Sequence, residues 1–262
     1  PETNTSQADV TVTPPRVTEV ESWVPRFIRP STMYPLTEDP GEYVVPHLLG
    51  KALHTATNDV PDDHPLPFDR LGPDDVGTCL HDILTTLVER NVSESTLRSR
   101  GDIVHEVFDE TLYDIVPTVS DSERDALFTF FDEQILDDFV DSDLWHLIHD
   151  AETVAVEKPV DGLATAGDVE VEIHGTADIL VETSDGERHV SDIKISLTEL
   201  TDETRRRYEL QVATYAYLFE HQQTTARQVR RSVETFGAER ETITSSWPPS
   251  VIQQRLSRLL RG

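Results

Sequence analysis

Apolar residues change their spacing twice along this chain. Residues 1–15 (PETNTSQADVTVTPP) show no apolar period and are rich in Thr, Ser and Pro, which reads as a linker or tail. Across residues 16–75, prolines recur at 25, 30, 35, 40, 46, 61, 65, 67 and 73. That density predicts an irregular extension holding only short helices and extended pieces. From 76 to 150 the spacing becomes helical. Leu80, Ile83, Leu84, Leu87 and Val88 fall on one face, as do Ile103, Val104, Val107 and Phe108. A third such segment runs from Ala126 to Phe139, ahead of Leu144–Ile148.

The period then switches to two. Thr153–Val160 and Val169–Glu182 alternate apolar with polar and predict strands. Ser184-Asp185-Gly186 reads as a turn and Glu187–Ser196 as a third strand. Asp202–His221 predicts a strong helix through Leu210, Ala213, Tyr217 and Leu218. An extended stretch at Gln228–Phe236 and a short helix at Val251–Arg261 close the pattern, and no repeat appears. Helices, three meandering strands, a helix and a further strand predict an α/β or α+β domain.

Composition changes the picture in two ways. Acidic residues number 50 against 22 basic ones, a net charge of −28, so the basic footprint of an ordinary nucleic-acid-binding domain is missing. No run of about 18 apolar residues exists to span a membrane. Lysine occurs only at Lys51, Lys158 and Lys194. Heat adaptation enriches lysine with glutamate, so this balance points instead to concentrated salt, where self-repulsion is screened. The expectation is a halophile's cytoplasmic protein. Cys79 stands alone, which leaves no disulfide and no cysteine-ligated cluster within the chain. Residues 1–15 are not a signal peptide. A first residue Pro1 and a single methionine, Met33, suggest a piece of a longer protein.

The chemistry concentrates in Gly175-Thr-Ala-Asp178, Asp192-Ile-Lys194 and Gln211-x-x-x-Tyr215. Aspartate is depleted from strands and its charge resists burial, yet two strands carry one each. With a three-residue turn, Thr183 faces Glu187 and Asp178 faces Asp192, their Cβ atoms about 5 Å apart. Such carboxylates repel unless a cation lies between them. A two-residue Asp185-Gly186 hairpin would instead oppose Asp178 to Ile193 and send Asp192 to the other face. Asp192 and Lys194, two apart, share a face. That face offers hard oxygen ligands for Mg²⁺ or Mn²⁺ with one ammonium beside them, equipment for activating water and steadying charge on a phosphate oxygen.

Taken in order, GTAD, DIK and QVATY resemble the RecB-like branch of the PD-(D/E)XK nuclease superfamily, with Glu157 of VEKPV at that family's glutamate. The resemblance spans roughly 76–236. It implies a restriction-endonuclease-like core, a central mixed sheet flanked by helices, with a helical part at 76–150, a catalytic core at 151–236 and a C-terminal tail and helix at 237–262. It also implies metal-dependent cleavage of DNA. Asp178, Asp192 and the carbonyl of Ile193 would hold the metal with a helical histidine. Two candidates fit G-x-x-x-H: His81, the closer match, and His105. Lys194 would orient or deprotonate the attacking water, while Gln211 and Tyr215 would buttress the site and contact DNA. Ile195-Ser196 stands where the family usually has Thr-Gly, and the family's iron–sulfur cluster has no cysteines here.

Such domains often follow UvrD/Rep-type helicases in recombination and repair. No phosphate-binding G-x-x-x-x-G-K-[ST] loop exists in these residues, so a helicase motor would belong to a longer chain or a partner subunit. Beside the proposed site, Arg205, Arg206 and Arg207, with Arg227, Arg230 and Arg231 after them, supply what DNA-facing charge the chain offers. The expectation is a Mg²⁺-dependent deoxyribonuclease, an exonuclease working with a helicase. The alternative is an inactive nuclease fold that binds DNA ends or acts as a scaffold.

Overall fold

The computed structural model describes residues 27–38, 72–166, 169–221, 229–248 and 250–259. No helix among them is long and apolar enough to cross a membrane. The tail at 1–15 and Arg227 lie outside the described residues.

A mixed sheet forms the centre. Its strands are β1 (Phe27–Ile28), β2 (Thr153–Ala166), β3 (Val169–Glu182), β4 (Arg188–Ser196), β5 (Val229–Gly237) and β6 (Glu241–Thr244). β3 pairs antiparallel with β2 along its length, and on its other side meets β4 at one end and β1, in parallel, at the other. β5 runs parallel to β4, and β6 returns antiparallel beside β5. The long crossover between β4 and β5 contains the helix at Asp202–His221, as a parallel pair requires.

Helices cover the sheet in two groups. Of the helices in chain order, α1 is Met33–Glu38. The first group comprises α2 (Pro73–Glu89), α3 (Glu94–Arg98), α4 (Asp102–Ile115), α5 (Asp121–Phe131), a π-turn (Asp132–Leu136), α6 (Asp137–Val140) and α7 (Asp143–His149). The second is α1 with α8 (Asp202–His221) and α9 (Ser250–Leu259). The stripe predicted on α2 is fully buried at Leu80, Ile83, Leu84 and Leu87. It packs with Val104, Val107 and Phe108 of α4 and with Ile179, Val181, Ile193 and Phe236 of the sheet. A second core joins Leu210, Ala213, Tyr217 and Leu218 of α8 to Val171, Ile173, Val190 and Val233. Met33 and Leu36 of α1 belong to this second core.

The structure is α/β, one of the two classes the switches of period allowed and the one the resemblance implied. It differs in its margins. α2 starts at Pro73 rather than 76, because proline suits the first helical turn and Asp75 accepts the Gly72 N–H at 3.1 Å. β2 runs past Val160 to Ala166, since full pairing with β3 outweighs the break in alternation at Asp161-Gly162. β6 was not anticipated: Glu241–Thr244 buries only Ile243, too little to register as a period.

Candidate active site

The turn between β3 and β4 decides the register. Thr183 N–H donates to the Glu187 carbonyl at 2.9 Å, and Gly186 N–H returns to Thr183 at 2.8 Å. Gly186 sits at φ +76°, a conformation glycine adopts without strain. The loop is therefore the three-residue form, and Ile179 pairs with Ser191. One step further, the two strands part with Asp178 and Asp192 facing each other across the opening. The two-residue hairpin is excluded by this ladder.

At that opening the acids meet different partners. Asp178 Oδ2 accepts the Ile193 N–H at 2.7 Å, which replaces the missing ladder bond. The same oxygen lies 3.0 Å from His81 Nε2. Burial disfavours the Asp178 carboxylate, but His81, Lys194 and the Ile193 N–H together hold its pKa below the ordinary value. Asp192 is 1% exposed. Its Oδ1 accepts the Gln211 amide at 2.8 Å, and its Oδ2 lies 2.5 Å from Lys194 Nζ. Burial, only partly countered by Lys194, pushes Asp192 up to about 6. Burial lowers the Lys194 pKa, but Asp192 and Asp178 outweigh it, so the ammonium is held charged well above its ordinary range.

His81 and His105 separate here. α2 crosses the opening and points His81 into it, with Nδ1 3.0 Å from Asp82 Oδ1 and Nε2 3.7 Å from Glu157 Oε1. Burial works against its protonation, yet Asp178, Asp82 and Glu157 raise its pKa to about 9. His105, on α4, stacks on Phe128 with ring centroids 4.5 Å apart and takes no part in the acidic group.

Glu157 belongs to the row. The β2–β3 register sets Val156 against Ile179 and Lys158 against Ala177, so Glu157 lies beside Asp178. Its φ of +47° is unusual for a side chain of its kind. Burial first, then the Asp178 charge, raise its pKa.

α8 supports the site from behind. Gln211 and Tyr215, one turn apart, are both buried, and the Tyr215 hydroxyl donates to the Thr176 carbonyl at 2.7 Å. Gly175 explains the small residue of GTAD: a Cβ there would lie 2.7 Å from Pro30 Cδ and 3.1 Å from Tyr215 Cε1. The arginines divide. Arg205 is tied to Glu241 at 2.8 Å, Glu239 at 3.0 Å and the Leu200 carbonyl at 2.8 Å, fastening α8 to the β5–β6 turn. Arg207 pairs with Glu203 at 2.8 Å and lies over the Tyr34 ring, whereas Arg206 is exposed. Arg230 pairs with Glu187 at 2.9 Å, and Arg231 Nε donates to the Ser245 carbonyl at 3.1 Å.

Sequence reasoning overlooked Asp82 and Tyr208. Tyr208, three residues before Gln211, places its ring 6.0 Å from Lys194 Nζ. Its helical spacing from Gln211 and Tyr215 was a usable signal.

The residues fit a hard divalent cation. His81, Glu157 and Asp178 offer ligand atoms within 4.8 Å of one another. Imidazole with carboxylates suits Mn²⁺, and carboxylates alone suit Mg²⁺. Asp192 Oδ2 is buried with no well-aligned hydrogen bond among the described residues, and the Lys194 ammonium lies 2.5 Å from it.

A family model described as the PD-(D/E)XK nuclease superfamily matches residues 46–254. Among solved structures, the crystal structure of SSO0001 is similar at 14% identity over 70% of this chain and 73% of that one, with a TM-score of 0.32. No curated protein matches.

Proposed function

The chain belongs to the PD-(D/E)XK nuclease superfamily, and from that premise we propose that it is a divalent-metal-dependent deoxyribonuclease. The observation that carries this reading is the meeting of Asp178, Asp192, Lys194 and His81 where β3 and β4 part. His81, Asp178, Asp192 and the Ile193 carbonyl would hold Mg²⁺ or Mn²⁺, with Glu157 beside them. When bound, the cation supplies charge against the scissile phosphate and a more acidic water.

The chain's own groups do the rest. Lys194 keeps a positive charge beside the reacting oxygens and orients water through its three donors. Arginine would not be equivalent, because its planar guanidinium is larger than the compact ammonium held beside buried Asp192. Gln211 fixes the Asp192 carboxylate, and Tyr215 fixes the β3 backbone two residues before Asp178. Both are buried supports, so Arg206 is the better candidate of this helix for contact with DNA.

We also read the enzyme as a cytoplasmic, salt-adapted exonuclease working with a helicase motor in repair or recombination. An inactive scaffold finds no support in a site that keeps both aspartates and the lysine. The test is release of labelled nucleotides from DNA in molar KCl with Mg²⁺ or Mn²⁺. Wild type should degrade DNA, and Lys194→Ala should lose at least ~100-fold. Equal rates in both proteins, or no cleavage by metal-loaded wild type, would overturn it. Linear against circular substrate then separates exonuclease from endonuclease.

A further inference from the structure

We propose that Asp82 is a positioning residue, whose carboxylate fixes the ring orientation and tautomer of His81 so that Nε2 serves the metal. This rests on the nuclease reading above. Consecutive residues on a helix do not normally face each other. Here His81 Nδ1 nevertheless lies 3.0 Å from Asp82 Oδ1. That contact spends the Nδ1 hydrogen on Asp82 and leaves Nε2 aimed at the acids, 3.0 Å from Asp178 and 3.7 Å from Glu157.

The helix limits the alternatives. Cys79, Leu80 and Ile83 around His81 are fully buried and apolar, and Thr85 spends its hydroxyl on the carbonyls of His81 and Asp82. Among the described residues, Asp82 is the carboxylate bonded to Nδ1. A histidine ligand whose other nitrogen donates to a carboxylate is oriented and made a better donor. Loss of such a partner commonly weakens metal binding 10–100-fold. Because Asp82 is itself 45% exposed, we expect the lower end.

The test is Mn²⁺ titration by calorimetry on the whole chain, together with ¹⁵N shifts of the His81 ring. Asp82→Ala should weaken Mn²⁺ about 10-fold and move the ¹⁵N shift of His81 Nδ1–H in the Mg²⁺-loaded protein, at a melting temperature close to wild type. Asp82→Asn should recover most of the affinity, because its side-chain oxygen still accepts the Nδ1 hydrogen. Equal Mn²⁺ binding by Asp82→Ala and wild type, with an unchanged ring, overturns the proposal. Equal loss in both variants also overturns it, since charge rather than orientation would then be the cause. Failure of wild type to bind Mn²⁺ at all, or undiminished binding by Asp178→Asn, counts instead against the nuclease reading.

Discussion

Glu157 holds its carboxylate near His81 at a cost in the backbone. A non-glycine residue at positive φ is strained by about 1 kcal/mol, and Glu157 sits at +47°. Asn91 and Arg100 share that conformation beside helix ends, where a left-handed residue closes the last turn. Glu157 lies within a strand, so strain at this place points to function. Glu157→Gly should therefore stabilise the fold by roughly 0.5–1 kcal/mol, reduced by glycine's greater freedom when unfolded, and should weaken Mn²⁺ binding. Glu157→Gln, which keeps the backbone, should weaken binding without the gain. Urea unfolding and metal titration read both effects; a less stable Glu157→Gly would refute the strain argument.

The same scale shows what the sequence could and could not disclose. Asp178, Asp192 and Lys194 were legible because each breaks a local rule, a charge in a strand or a lysine in a lysine-poor chain. His81 was preferred to His105 only as the closer motif match, since both follow a glycine at the same spacing on amphipathic helices. Only the packing of α2 across the β3–β4 opening distinguishes them. Asp82 was invisible for a similar reason: adjacency in a helix argues against contact.

Elements were read well where one period ran long. α2, α4, α8 and the hairpin of β3 and β4 all follow from spacing, and Gly186 admits the turn that aligns the two aspartates. β6 and the length of β2 depend on pairing, which spacing alone does not encode. The β4–β5 pair also holds a group whose titration is measurable. His189 lies against Ser232, with Nε2 2.8 Å from Oγ. Burial, then the charge of Arg230, lowers its pKa to about 4, well below histidine's ordinary 6.5. The folded value lies below the unfolded one, so acid protonates the unfolded chain first. Stability from this group is intact above about pH 6.5, falls as pH drops toward 4, and is level below that. The whole span is worth about 3 kcal/mol. Unfolding of wild type and His189→Gln in urea, compared at ~pH 7 and ~pH 4.5, should show the wild type losing most of that relative to the variant. A pH-independent difference would count against a buried neutral imidazole.

For the whole molecule the question is how a chain of net charge −28 approaches DNA. Most of the described arginines are already engaged. Arg90, Arg98, Arg100, Arg124, Arg188 and Arg240 each meet acids on the surface. Arg205 and Arg207 do the same beside the site. At low salt the molecule repels a polyanion; at about 1 M salt the Debye length is about 3 Å and that repulsion is confined to contact range. Exposed ion pairs are worth at most about 1 kcal/mol each, so screening them costs less than relief of the crowded acids returns. An ordinary DNA-binding protein loses affinity steeply as salt rises, through counterion release. Here the opposite is expected. Between about 0.1 M and about 1 M KCl, metal-dependent cleavage should rise several-fold and the melting temperature should increase with it. Lys194→Ala should gain the same thermal stability but no activity, which separates folding from chemistry. A rate that falls steadily across that range, in a protein whose melting temperature does not change, would mean that the acidic surface is not an adaptation to salt.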